Sequence, residues 1–262
     1  MNRSAKVFAD VFAPELEKEG FFRKGNTFYY CDFHNKVLKS VDCDVYMHGS
    51  DIDVLVFASP FYCNINPGSI RGLEAISTNR ISIAENYHGE RSELTVKAIL
   101  IAEDYMRMYF SRFMDILGND LFSIKSMRDA YSFYEKSIPR ERVVNHSRGI
   151  TPEYIRSFSP VLLWSDLYYA NFKHAQETID ILVNRFFREK SGCYDEYNYK
   201  ELLDNPDESD LSELYRLLMM LKGCIMHEDF DFFTQYMDIR IANSERNCMA
   251  YFKRYKNSCI YI

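Results

Sequence analysis

The sequence predicts an α+β fold, a small antiparallel sheet with an N-terminal helix, followed by a predominantly α-helical region. Two observations carry this. Six of the ten glycines (Gly20, Gly25, Gly49, Gly68, Gly72 and Gly89) fall in the first 90 residues, where they punctuate short runs rich in β-branched and aromatic residues. Beyond about residue 90 the apolar period lengthens from two to nearly four, the spacing of helices that bury one stripe. The expected organisation is a helix-plus-sheet region over 1–90 and a helical region over 91–262, which can be continuous with the first as one domain, with a joint near 139–150.

The opening helix is expected over 4–19, with Val7, Val11 and Phe12 on one stripe and Lys6, Asp10, Glu17 and Lys18 opposite. It stops at Gly20, a residue that adopts the left-handed cap without steric cost. Three β-type runs follow, over 27–33, 37–47 and 52–62. In the second run Val37, Val41, Cys43 and Val45 share a face that Lys39 interrupts, and in the third Ile52, Val54, Val56 and Ala58 share one. Antiparallel pairing of these two through the turn His48-Gly49-Ser50-Asp51 is the simplest arrangement.

The helical region begins with a long helix over 92–117, whose apolar stripe is Ile99, Ala102, Met106, Tyr109, Phe113 and Ile116. A second, over 121–137, places Ile124, Met127, Tyr131 and Tyr134 together and ends before Pro139. Residues 140–149 are charged and turn-rich and read as a loop. Thr151-Pro152-Glu153 looks like a helix start, and Ser159-Pro160 opens a longer helix with the stripe Trp164, Tyr168, Ala175, Ile179, Leu182 and Phe186. The stretch 191–210 is polar and acidic, with a weak central turn of helix, and is expected to be the most mobile internal segment. A buried helix over 211–225 and a final one over 229–253, with Phe230, Phe233, Met237, Ile241, Cys248 and Phe252 together, complete the chain. No repeat of fixed period stands out.

Composition bounds the function classes. With 47% hydrophobic and 27% charged residues and a formal charge of −6, the chain reads as a mildly acidic globular protein, neither disordered nor a supercharged nucleic-acid binder. It has no run of about 18 uncharged apolar residues and no apolar core of a signal peptide in its first ten, so a cytoplasmic setting without membrane contact is expected. Seven cysteines without a C-x-x-C pair and six scattered histidines argue against a disulfide framework or a structural metal site, and no cofactor is expected.

The sharpest local string is Ser50-Asp51-Ile52-Asp53-Val54-Leu55-Val56, which resembles the Asp-x-Asp strand with which nucleotidyltransferases hold two magnesium ions. Carboxylates on alternate residues of a strand face the same way, a geometry that suits a divalent cation bound with nucleotide phosphates. Upstream the resemblance fails, because Gly49-Ser50 abuts Asp51 and leaves no room for the helix that would hold the triphosphate. Asp42 and Asp44 form a second alternate pair, and Arg140 with His146 loosely follows the Arg-x₄₋₆-His pattern of helical ribonucleases. No nucleophile elbow, phosphate-binding loop or dinucleotide fingerprint is present.

Val7-Phe8, followed by the run Leu16-Glu17-Lys18-Glu19-Gly20-Phe21-Phe22-Arg23-Lys24-Gly25-Asn26-Thr27-Phe28-Tyr29-Tyr30, resembles the start of the bacterial family called domain of unknown function 4304. Its members similarly lead an amphipathic helix into Gly-Phe, a basic pair, Gly-Asn and an aromatic strand. The likeness covers the first 60 to 115 residues. It implies an α+β fold and brings no assigned activity, so no site residue is carried over.

With no complete catalytic motif, the expected function is a non-catalytic protein-binding module, immunity-protein-like or regulatory, with another protein, possibly basic, as partner. Twenty tyrosines and a net charge of −6 favour this, since tyrosine offers contact area at low entropic cost and an acidic surface speeds capture of a basic partner. The alternative is a magnesium-dependent nucleotidyltransferase-like enzyme using Asp51 and Asp53. The two dense basic groups, Arg140-Arg142 with Arg148 and Lys253-Arg254-Lys256, are too small to suggest nucleic acid.

Overall fold

Helix α1 (Arg3–Lys18) buries Ala5, Val7, Phe8, Ala9, Val11, Phe12 and Leu16, a stripe wider than the sequence suggested because Phe8 belongs to it. It runs through Pro14, whose missing N–H costs the helix a bond that packing must offset. The expected stop is a Schellman motif. The Gly20 N–H donates to the Glu17 carbonyl at 3.0 Å and the Phe21 N–H to the Leu16 carbonyl at 2.9 Å, with Gly20 at φ +84°. Leu16 and Phe21, the two residues joined by the second of these bonds, are both buried.

The computed structural model describes residues 3–46, 51–68, 77–82, 117–137, 160–186, 196–204 and 211–253, together with Asp104, Arg107 and Met114. Two compact units divide the chain: 1–59, 75–130 and 252–262 form one, and 60–74 with 131–251 the other. The boundary expected at residue 90 and the joint at 139–150 lie outside the described residues, as do the loop at 140–149 and the helix start at Thr151.

The first unit holds a five-stranded sheet of β1 (Phe22–Lys24), β2 (Thr27–Asp32), β3 (Val37–Tyr46), β4 (Asp51–Pro60) and β5 (Ser77–Ser82), in that spatial order. Pairs β1–β2, β2–β3 and β4–β5 are antiparallel. The fold is thus α+β, as the sequence predicts. Two of these strands, β1 and β5, lie outside the three runs read in the sequence. Gly25-Asn26 turns β1 into β2, with Gly25 at φ +68° in the first loop position as a type II′ turn requires. β5 (STNRIS) carries too little apolar alternation to be read as a strand. Nor does the third run reach Tyr62: β4 ends at Pro60, and Phe61–Cys63 form a 3₁₀ turn.

Both sheet faces are covered within this unit. Phe28 on β2 meets Phe8 of α1 edge-on, with ring centroids 6.0 Å apart, and Phe8 stacks on Phe12 at 4.5 Å. On the other face Phe252 packs against Phe22 and Tyr29, with centroids at 5.0 and 5.1 Å. Residues 37–41 of β3 are accordingly all buried. That includes Lys39, which interrupts its apolar face without leaving it; its ammonium lies 5.3 Å from the centre of the Tyr30 ring, on the neighbouring strand. Burial, with the Lys125 charge adding to it, pushes Lys39 down to about 8.

The expected helix over 121–137 divides. Leu117–Phe122 form a π-helical turn, and α2 (Met127–Ser137) starts afresh behind a capping box. The Ser126 hydroxyl oxygen accepts the Asp129 N–H at 3.2 Å while the Asp129 carboxylate takes the Lys125 N–H at 3.0 Å. The helix expected over 92–117 lies outside the described residues, apart from Asp104, Arg107 and Met114, each helical; Asp104 and Arg107 are exposed, as their polar stripe requires.

In the second unit, α3 (Pro160–Tyr168) and α4 (Phe172–Phe186) replace the single expected helix. A 3₁₀ helix, Glu196–Leu203, precedes α5 (Leu211–Met226) and α6 (Phe230–Tyr251). The middle of the acidic stretch 191–210 is therefore anchored, since Tyr199 and Leu202 are buried, where the sequence suggested too little apolar area to hold it. The buried stripe of α6 also differs: it comprises Phe232, Phe233, Tyr236, Met237, Arg240, Ser244 and Cys248, with Phe230 half exposed. Among the described residues no helix is long and apolar enough to cross a membrane.

A polar clamp explains that stripe. The Arg240 guanidinium lies 3.5 Å from the centre of the Trp164 ring, and its Nε donates to the Tyr62 carbonyl at 2.8 Å. The Ser244 hydroxyl donates to the Phe61 carbonyl at 2.5 Å and accepts the Ile65 N–H at 2.6 Å, and Tyr62 and Ser165 share a hydrogen bond of 2.7 Å. The 61–65 segment is thereby tied to α6 by its own backbone groups and to α3 by the Tyr62 hydroxyl.

Two expected outcomes follow for the first unit. Gly20→Ala should destabilise by about 1 kcal/mol in urea unfolding, because a side chain at φ +84° is strained and its Cβ would sit 3.3 Å from Tyr30. Lys39→Met should stabilise by about 2 kcal/mol at pH 7. Below pH 8 the folded chain must hold the charged lysine, a penalty that fades as pH rises from about 8 to 10.5, so the advantage of the variant should shrink over that window. A variant less stable than the wild type at pH 7 would show that the charge is compensated.

Candidate functional site

Two helix corners of the same construction build the site, which lies wholly in the second unit. α3 ends with Ala170 in the left-handed region, φ 57°; the Ala170 N–H donates to the Leu167 carbonyl at 3.2 Å and the Asn171 N–H to the Asp166 carbonyl at 2.7 Å. α5 ends with Glu228 at φ 52°, its N–H on the Ile225 carbonyl at 3.1 Å and the Asp229 N–H on the Cys224 carbonyl at 3.3 Å. Both are Schellman motifs that use a residue with a Cβ where glycine is the usual choice. Each is followed, two residues on, by a phenylalanine that opens the next helix: Phe172 on α4 and Phe230 on α6.

Buried polar groups hold each corner. Asp166, fully buried, accepts from the Tyr131 hydroxyl at 2.8 Å and from the Asn171 amide at 3.4 Å, and that amide also lies 3.2 Å from the Tyr131 oxygen and 2.6 Å from His174 Nδ1. Burial is the main reason the Tyr131 hydroxyl is pushed up. At the other corner Asp229 caps α6 by accepting the Phe232 N–H at 3.1 Å, and its second oxygen accepts from the Tyr199 hydroxyl at 2.8 Å. The Tyr199 hydrogen bond, then the Phe232 amide, hold the Asp229 carboxyl below the usual carboxylate range. Tyr199 itself is pushed up to about 12, by burial and then by its bond to Asp229.

Between the corners is a groove of about 380 Å³, lined by Phe172, Lys173, Gln176 and Glu177 of α4, Ile225 of α5, and Glu228, Phe230 and Phe233. The Phe172 ring lies 5.1 Å from Phe230 and 4.9 Å from Phe233. Phe230 is 51% exposed, and Met226, beside Ile225, is 58% exposed. Lysine 222 of α5 bridges to Asp180 of α4 at 3.0 Å. The floor is apolar and the rim acidic on balance, with Glu177 and Glu228 against Lys173. Such a surface can bury an apolar side chain offered by another molecule.

The carboxylates singled out in the sequence lie elsewhere. Asp51 and Asp53 stand two apart at the start of β4, opposite Ser82 and Arg80 of β5. Only residues 47–50 separate β3 from β4, too few for the helix that a nucleotidyltransferase places before its Asp-x-Asp strand. Asp42 is tied within the sheet, accepting from the Thr27 hydroxyl at 2.7 Å and the Cys43 N–H at 2.9 Å. Arg140 and His146 lie outside the described residues. Among the described residues no three or more His, Cys, Asp or Glu side chains are grouped to hold a metal ion. The groove went unread in the sequence because Phe230 and Phe233 fit a core stripe; Asp229, a capping residue directly before Phe230, was the signal that fixes where α6 begins.

Comparison of the chain with protein-family models, with curated proteins and with solved structures returned no match.

Removing the Tyr199 hydroxyl tests the second corner. Tyr199→Phe should cost about 1–2 kcal/mol at pH 7, measured by urea unfolding, because it leaves one Asp229 oxygen without its donor. The lowered carboxyl contributes stability above the ordinary carboxylate pKa, lost as pH falls through the folded value, so wild type should lose more stability than the variant between pH 5 and about pH 2. Equal acid sensitivity would show that the bond does not set the Asp229 charge.

Proposed function

We propose that this chain is a non-catalytic protein-binding module, immunity-protein-like or regulatory, whose partner seats an apolar side chain in the groove between α4 and α6. The observation that supports it is Phe230, half exposed at the mouth of an apolar groove while every neighbour in its helix stripe is buried. Leaving an aromatic ring in water forgoes about 2 kcal/mol of burial, and contiguous exposed apolar surface marks contact sites. The strained left-handed Glu228 in the groove wall adds to this, since such backbone persists where the surroundings demand it.

The partner in this reading is a basic protein whose anchoring residue is flanked by Lys or Arg. Its support is the charge balance of the rim and the whole chain's excess of Asp+Glu 38 over Lys+Arg 32. The same excess supports a protein rather than nucleic acid. The relation of the first 60 to 115 residues to the domain of unknown function 4304 family, and a cytoplasmic setting, belong to the same proposal.

A photoreactive phenylalanine analogue at Met226 tests it in the source cell. A crosslink to a second protein is expected, and that protein, purified, should bind the chain with an affinity that Phe230→Asp lowers at least tenfold, about 1.4 kcal/mol, and that falls with salt. Crosslinking only to a second copy of the chain would replace the basic partner with self-association. Binding unaffected by Phe230→Asp would place the interface elsewhere.

A further inference from the structure

We propose that the groove is controlled by acidity through His174: its Nδ1 accepts from the Asn171 amide, and a proton gained there breaks the tie that seats Phe172 in the groove wall. The inference rests on the reading of that groove as a contact site and adds a means of regulating it.

The Asn171 amide has two N–H bonds and three acceptors around its nitrogen. His174 Nδ1 lies 2.6 Å away, the Tyr131 oxygen 3.2 Å and the Asp166 carboxylate 3.4 Å. Two of these leave the amide one orientation. Asp166 is fully buried and accepts the Tyr131 hydroxyl at 2.8 Å, so a carboxylate and an oxygen lone pair face the amide together. A reversed amide would set its own oxygen against that carboxylate, away from water. The nitrogen therefore points inward, and His174 Nδ1 meets it with a lone pair. The imidazole is thus the neutral form with its proton on Nε2.

Histidine is the side chain whose charge ordinarily changes between pH 5 and 8. An imidazolium carries N–H groups on both nitrogens, and two N–H groups cannot face each other across 2.6 Å. Something must turn. The Asp166 charge attracts the imidazolium and keeps the ring at the corner, so the amide yields by turning its oxygen to the new N–H. Tyr131 and Asp166 then lose the Asn171 donor. The titratable groups of the surrounding elements are engaged otherwise: Glu135 of α2 acts on Tyr131, Lys222 of α5 pairs with Asp180, and Asp229 at the start of α6 is held by Tyr199 and the Phe232 N–H. On α4 itself Lys173 and Glu177 line the groove.

The groove is one residue away. The Asn171 N–H donates to the Asp166 carbonyl at 2.7 Å and its carbonyl accepts the Ala175 N–H at 3.0 Å, so this residue closes the α3 corner and opens α4. Phe172 follows it directly, with its ring 4.9 Å from Phe233 and 5.1 Å from Phe230. Displacing Asn171 displaces that wall.

The full chain, with ¹⁵N in its histidine rings and 4-fluorophenylalanine in place of Phe172, reports both ends of the switch without a partner. Its outcome is therefore separate from that of the crosslink at Met226. At pH 8, two-bond ¹H–¹⁵N spectra should show the His174 proton on Nε2 and none on Nδ1, the signals being assigned by their loss in His174→Gln. Between pH 8 and 5 the ¹⁹F signal should move with the same midpoint as the His174 ring, and His174→Gln should abolish that movement. Should that variant not fold, Asn171→Ala keeps the imidazole, removes the amide and should abolish it equally. A proton on Nδ1 at pH 8, or a His174 that stays neutral down to pH 5, overturns the proposal. So does a ¹⁹F signal that is still while His174 titrates, or that moves as far in the variants as in the wild type.

Discussion

A single buried guanidinium organises the second unit. Arg240 sits in the middle of α6, lies against the Trp164 ring of α3 and donates to the backbone of the 3₁₀ turn at Tyr62, so it meets three segments far apart in the chain. A charge brought into a protein interior is tolerable only where an aromatic face and fixed carbonyl dipoles replace its water. Ser244, one helical turn on, repeats the device with neutral groups, holding Phe61 and Ile65 through one hydroxyl. Once α6 is fixed in this way its N-terminus has one place to start, and the groove follows from that.

Much of the fold was legible because its signals are local. The cap at Gly20, the strands Val37–Tyr46 and Asp51–Pro60, the start of α3 at Pro160 and the long final helix all rest on periodicity or on a residue with one conformational use. What escaped shares a different cause. Ala170 and Glu228 turn the chain in a conformation their side chains disfavour, and no sequence rule marks an alanine or a glutamate as a left-handed cap. The stripe of α6 was misplaced because Arg240 and Ser244, polar in the sequence, lie inside it, while Phe230, apolar, lies outside. Lys39 broke an alternation that the structure restores by burying it.

The candidate site was less legible than the fold. Its floor is made of residues that any reading assigns to a core, and what distinguishes them is a corner geometry that holds a ring at a surface. The motif that drew notice, Asp51 with Asp53, belongs to a strand hydrogen-bonded to β5 and follows β3 too closely to share the architecture it resembles. Chemistry-bearing residue types stand out in a sequence, whereas an uncovered phenylalanine looks like any other.

The order of the sheet matters for how the protein is made. Each strand neighbours the next in sequence, so the sheet can assemble by hairpins as the chain leaves the ribosome, with contacts that close early and quickly. One of its faces cannot. Phe22 and Tyr29 are covered by Phe252, which follows the whole of the second unit. During synthesis the sheet therefore waits with an aromatic face in water until everything between has been translated, an interval in which a chaperone or a neighbouring nascent chain finds a ready apolar surface.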